Sequence, residues 1–256
     1  MKHSRERFFS KNGYFLAKNL FNKSDVSVLE KEFDKIVFQL KQSGEHINAR
    51  WGGEVAKKTD LENSEVLHTH NVQSFSSIML NMVQNKTLLE IAESFIGPDI
   101  ILHHTKLFLK PPLIGSAFPL HQDWSYFPSK KNTMIAAVVH ISESTEEMGC
   151  IRLVAGSNKL GGIKNSDGHS FVKQIHSKHP LETALPIEAE SGDVLFFHSY
   201  TLHGSMPNRS KTPRKTILIQ LYSGKDKVFD GINHTNVQLV LKGWNYNSTR
   251  STAGNI

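Results

Sequence analysis

The chain has 256 residues, 38% hydrophobic and 21% charged, which suits one large core at a length that all-β barrels and sandwiches reach undivided. It has no run of about 18 apolar residues to span a membrane, no apolar signal core behind MKHSRERFFS, and no lipidation or peroxisomal address in the closing STAGNI, so a cytoplasmic protein is expected. The formal charge of +6 comes from scattered Lys and Arg, densest at Arg209–Lys215, which argues for attraction of small anions and against a nucleic-acid groove.

Residues 1–99 read as a mainly helical flank. GYFLAKNLF (13–21) is a short strand and turn. From Ser24 to Lys41, Val26, Leu29, Phe33, Ile36, Val37 and Leu40 follow the 3.6-residue period, with Ser24 as the expected N-cap. NARWGGE (48–54) is a loop in which Gly52-Gly53 permits movement of Trp51 over a site, although an ordinary turn explains the glycines equally well. His68 and His70 form an H-x-H pair without the glycines and trailing Glu of a cupin metal motif. A second helix over Lys86–Ile96 buries Leu89, Ala92 and Phe95 and stops at Gly97-Pro98.

Residues 100–225 change to short β-rich runs: ILHHTKLFL (101–109), MIAAVVHI (134–141), CIRLV (150–154), DVLFFHS (193–199) and KTILIQLY (215–222). Pro111-Pro112, Gly149, Gly156, Gly161-Gly162 and Gly192-Asp193 punctuate them. Such spacing predicts a double-stranded β-helix, or jelly roll, with flanking helices in a single domain, and 226–256 as a C-terminal extension. The lone Cys150 excludes an internal disulfide and reads as a small buried hydrophobe.

In FPLHQDWSYFP (118–128), His121 and Asp123 are separated by one residue, so in extended backbone both side chains point to one face. His203 follows about eighty residues later, a separation at which jelly-roll strands can still be neighbours. Two imidazoles and a carboxylate form the facial triad that suits iron(II) and leaves half an octahedron open for an oxo acid and dioxygen. Structural zinc would require a closed tetrahedron. Arg214, at the start of KTILIQLY, can grip the distal carboxylate of 2-oxoglutarate, and Ser205, two residues beyond His203, can donate a second bond. His198 is expected to face away from His203, whereas His103, His104 and His140 lie on strands near the site. Trp124, Tyr126 and Phe127 read as core or pocket lining. Lys106 and Lys110 are evenly spaced, so both can face inward, one toward an anionic substrate.

The sequence resembles the phytanoyl-CoA dioxygenase family of iron(II)/2-oxoglutarate oxygenases over most of its length, most strongly from Ile101 to Tyr222. The resemblance is carried by KPP (110–112), PLHQD (119–123), YFP (126–128), MGCIRLVAGSNKLG (148–161), GDVLFFHSYTLHGS (192–205), Asn208 and Arg214. It implies His121, Asp123 and His203 as iron ligands, and Ser205, Arg214, Lys106 and Val139 around 2-oxoglutarate. The family's Pro-Gly-Ser-His turn reads here as Ala155-Gly156-Ser157-Asn158, a change in a loop and not in a ligand. The implied reaction is hydroxylation of a small molecule with dioxygen and release of succinate and carbon dioxide. The expected substrate is anionic or zwitterionic, an aminoalkylphosphonate or amino-acid-like compound, with Lys110, Trp124, Tyr126 and Trp51 as further contacts. A fatty acyl-CoA is the alternative substrate. A non-catalytic jelly-roll binding protein would keep the fold and lose a ligand or the arginine.

Overall fold

The computed structural model describes residues 2–229 and 235–249; STAGNI lies outside them. The first helix, α1 (Lys2–Asn12), leads into β1 (Tyr14–Ala17) and α2 (Lys23–Gln42). The cap of α2 is Asn22 and not Ser24: its side-chain oxygen accepts from Ser24 N at 2.8 Å and Asp25 N at 3.0 Å, and the Asp25 carboxylate accepts from Asn22 N. Next come α3 (Ala56–Thr59), β2 (Leu67–His70), α4 (Ser77–Val83) and α5 (Lys86–Ile96), the last ending where the periodicity placed its end. The remaining elements are strands: β3 (Ile100–Lys110), β4 (Phe118–His121), β5 (Ile135–His140), β6 (Ile151–Leu153), β7 (Leu185–Ile187), β8 (Val194–His198), β9 (His203–Ser205), β10 (Arg214–Ser223) and β11 (Leu239–Lys242).

All pairings between these strands are antiparallel. A major sheet runs β1-β8-β5-β10-β3-β11, with β2 also on β3, and a minor sheet runs β4-β9-β6-β7. The two form an open double-stranded β-helix and do not close into a barrel. Strand periodicity assigns each face of the major sheet. Ile135, Ala137, Val139, Val194, Phe196, Ile217, Ile219 and Leu221 pack against the buried stripes of α2, α4 and α5. The alternate residues Ala136, Val138, Leu195, Phe197 and Leu218 meet Ile151, Leu153 and Ile187 of the minor sheet. Between Gln220 and Leu221 the register against β3 slips, leaving His103 as the extra residue of a β-bulge. The part of the C-terminal extension that is described adds β11 to the sheet edge. No helix among the described residues is long and apolar enough to cross a membrane.

Candidate metal centre

The central minor-sheet strand β9 sets His203 directly opposite His121, the last residue of β4. Gln122 stays extended, with φ −116° and ψ 130°, and Asp123 opens a 3-10 turn, so the i, i+2 relation survives the end of the strand. Gln122 is wholly buried and pinned: it donates to Gly161 O at 2.9 Å and Tyr200 O at 2.7 Å and accepts from Ile163 N at 2.8 Å. The His-Gln-Asp step therefore has little freedom.

One ligand atom from each of His121, Asp123 and His203 lies within 4.8 Å of the others. Asp123 Oδ1 stands 3.8 Å from His121 Nε2 and 3.6 Å from His203 Nε2. Behind the rings, His121 Nδ1 lies 2.8 Å from Pro119 O and His203 Nδ1 lies 2.9 Å from Thr201 O. A carbonyl only accepts, so each Nδ1 carries the proton and each Nε2 offers its lone pair to the centre. Burial, and then the neighbouring His203, hold His121 well below the usual imidazole range and keep it neutral. Gln220 Nε2 donates to Asp123 Oδ2 at 2.6 Å, fixing the carboxylate from its other oxygen. Two neutral imidazoles and one carboxylate, buried and pre-oriented, fit a divalent ion of the iron(II) type with three positions left over.

The cavity beside the triad has a volume of about 180 Å³. Along β10, Arg214, Thr216, Leu218 and Gln220 line it at every second residue. Arg214 pairs in register with Lys110 of β3 at its far end. There the wholly buried Lys110 ammonium donates to Ser205 Oγ at 2.6 Å and Met206 O at 2.7 Å, joining the two sheets. Because an ammonium only donates, the Ser205 hydroxyl proton is left to point elsewhere. Arg214 donates through Nη1 to Gly149 O, while its buried Nε has no hydrogen-bond partner among the described residues. Neither cation has an acid within ion-pair distance among the described residues. Burial, and then the Arg214 charge, press Lys110 well below the usual ammonium range, and burial brings Arg214 down to about 10. This end of the cavity therefore carries basic groups that no carboxylate of the described residues neutralises at ion-pair distance.

Nearer the triad, burial lowers Lys106 to about 8, with Asp123 opposing the shift. Burial and the Lys106 charge lower His68, another lining residue, to about 4. Trp51 stands edge-on to His121 at 4.4 Å between ring centroids and stacks on His169 at 5.3 Å. A Cβ on Gly168, which has φ +82°, would come within 2.5 Å of the Trp51 ring, so glycine is what lets this loop close against the tryptophan. Tyr126 also lines the cavity and donates to Asp167 O at 2.7 Å.

Three expectations are corrected. Val139 does not line the cavity: strand alternation turns it into the core under the helices and presents Val138 instead. Trp124 is rotated away by the 3-10 turn, donating to Asn132 Oδ1 at 3.0 Å and packing on Tyr200. Lys110 is not a substrate contact on the cavity wall: it is wholly buried behind the lining and spends its ammonium on Ser205 and Met206. His103, His104 and His140 lie on β3 and β5 as expected, buried outside the cavity lining, the first two packed on Phe127. Sequence reasoning missed Gln220, His169, Phe118 and Thr216. The parity shared with Arg214 along β10 would have found Thr216 and Gln220, whereas His169 sits in irregular chain with no such signal.

Comparison with known proteins agrees with this geometry. Residues 9–216 match the family model described as Phytanoyl-CoA dioxygenase (PhyH). The peroxisomal phytanoyl-CoA dioxygenase of Homo sapiens is 29% identical over 258 residues, covering 93% of this chain and 74% of the human protein. A probable alpha-ketoglutarate-dependent hypophosphite dioxygenase of Stutzerimonas stutzeri is 28% identical over 171 residues, covering 64% of this chain and 59% of that one. Among solved structures, the non-heme alpha ketoglutarate dependent epimerase SnoN from nogalamycin biosynthesis superposes with a TM-score of 0.73 at 16% identity, covering 94% of this chain and 98% of SnoN. With more than half of its length matched by that family model and the His-Asp-His centre assembled, the chain belongs to the phytanoyl-CoA dioxygenase family.

Proposed function

We propose that this chain hydroxylates a small anionic or zwitterionic metabolite, an aminoalkylphosphonate or amino-acid-like compound, using iron(II), 2-oxoglutarate and dioxygen. The reaction class, iron- and 2-oxoglutarate-dependent oxygenation, comes with the family; the substrate class is read from the cavity. The observation that carries it is Lys106, whose ammonium shares the cavity with the triad and has no acid within ion-pair distance among the described residues. A bacterial relative named for hypophosphite, itself a small oxyanion, supports that reading.

In this account His121, Asp123 and His203 hold the metal. Arg214 and the Ser205 hydroxyl, polarised by Lys110, receive the distal carboxylate of 2-oxoglutarate, and Lys106 faces the substrate's anionic group beside the neutral His68. Trp51, Phe118 and Tyr126 wall the site and exclude water. When bound there, iron(II) activates dioxygen and 2-oxoglutarate supplies electrons as it is decarboxylated to succinate. The protein contributes orientation: the buried cations at the far end fix where the oxo acid lies, and Lys106 fixes which carbon of the substrate is presented.

The test is succinate release with iron(II) and 2-oxoglutarate against a panel of aminoalkylphosphonates, amino acids and acyl-CoA esters. Stimulation by the first two classes supports the proposal. Stimulation by acyl-CoA alone overturns it in favour of the reaction for which the human relative is named.

A further inference from the structure

Gln220 is a polar residue in an otherwise apolar stretch of β10, flanked by Ile219 and Leu221. It is 1% exposed, and its carbonyl Oε1 is buried with no hydrogen-bond partner among the described residues. A buried carbonyl without a partner destabilises a fold, so stability does not account for an amide here. The other end of the same amide does make a contact, the 2.6 Å bond from Nε2 to Asp123 Oδ2. The oxygen left over, Oδ1, is the one that faces both imidazole Nε2 atoms, at 3.6 and 3.8 Å.

We infer that Gln220 is a positioning residue that holds Asp123 as a one-oxygen ligand and so keeps three places on the metal vacant, not two. A carboxylate free to turn can chelate one ion through both oxygens. Occupying Oδ2 with an amide N–H competes with that mode. The distinction matters because an oxo acid takes two places and dioxygen needs a third; a two-oxygen aspartate would leave the third closed. The inference rests on the metal reading above and goes beyond it by assigning the occupancy of the centre to a residue that is not itself a ligand.

The test uses the full chain with Co(II) as the metal probe, read by calorimetric titration and by the ligand-field spectrum, together with the melting temperature of the metal-free protein. Gln220→Met removes the donor at similar volume, Gln220→Leu removes it with a different shape, and Gln220→His keeps an N–H donor. Both apolar variants are expected to show a Co(II) ligand-field spectrum shifted toward the weaker bands of a higher coordination number, with no loss of Co(II) affinity and an undiminished melting temperature. Gln220→His should restore the wild-type spectrum. A wild-type spectrum in Gln220→Met overturns this inference alone. So does a loss of affinity or a spectral change matched by a fall in melting temperature in both apolar variants, since that marks a purely structural role. Failure of the wild-type chain to bind Co(II) overturns the metal reading and this inference with it.

Discussion

Replacing Arg214 tests the far end of the cavity most sharply. Arg214 and Lys110 are both buried, adjacent in register and without an acidic partner among the described residues. A carboxylate arriving there meets the Arg214 guanidinium and the Ser205 hydroxyl, with Lys110 held behind Ser205. Removing one partner of a buried, hydrogen-bonded charge pair costs about 3 kcal/mol at the lower end of the usual range, because Lys110 still supplies part of the field. At about 1.4 kcal/mol per decade, Arg214→Met should raise the KM for 2-oxoglutarate roughly 150-fold. Arg214→Lys keeps the charge and loses the planar fork, so a rise of roughly tenfold is expected. The assay is succinate formation against 2-oxoglutarate concentration. A parallel arm gives the wild-type enzyme 2-oxobutyrate, which lacks the distal carboxylate and should be penalised at least as much as Arg214→Met penalises 2-oxoglutarate, since it forgoes the Lys110 field as well. An unchanged KM in Arg214→Met, or equal use of the two oxo acids by the wild type, would refute the assignment.

Lys106 titrates near 8, so it is charged below that pH and neutral above it; kcat/KM for an anionic substrate at saturating 2-oxoglutarate should fall as pH rises through about 8, and Lys106→Met should abolish that limb. Val138→Phe should fill the cavity and suppress turnover, whereas Val139→Phe should overpack the helical side and cost about 1–3 kcal/mol of stability; thermal melts and succinate assays on the pair distinguish the two faces of β5. Asp226 is buried and accepts from Ser129 Oγ, Lys131 N and both donors of Thr133 at 2.7–2.9 Å. Burial pushes its carboxyl up, but these hydrogen bonds prevail and hold it below the ordinary value. Its contribution is therefore complete above the unfolded-state value and is lost as pH falls through the lower folded value. Asp226→Asn should cost about 3 kcal/mol near neutral pH, a drop of roughly 6–12 °C in melting temperature, and should flatten that acid limb in melts across pH.

Much of the fold was legible because the strands of the major sheet are buried on both faces and so read as continuous apolar runs; IAAVVH and VLFFH leave little else to become. Such runs do not announce which residue faces which way. The family resemblance points to Val139, and only the register of β5 against β10 and β8 shows that its neighbour Val138 faces the cavity. The triad was legible because His121 and Asp123 are local and His203 carries its own strand. Trp124 was misplaced for the opposite reason: the chain leaves extended geometry at Asp123, and the next side chain swings with it. The helix cap moved by two residues because Asn22 and Asp25 satisfy each other reciprocally, which Ser24 does not. His169 reaches Trp51 through a loop whose path depends on Gly168, and no periodicity encodes that contact.

The central claim is that His121, Asp123 and His203 bind one divalent ion and leave room for an oxo acid on it. Anaerobic titration with iron(II) and 2-oxoglutarate, followed through the visible charge-transfer absorption of the chelate, tests this directly. Saturation at one ion per chain is expected, with the absorption lost in His203→Ala and Asp123→Ala. Absence of saturable absorption in the wild-type chain, or its persistence in both variants, would contradict it.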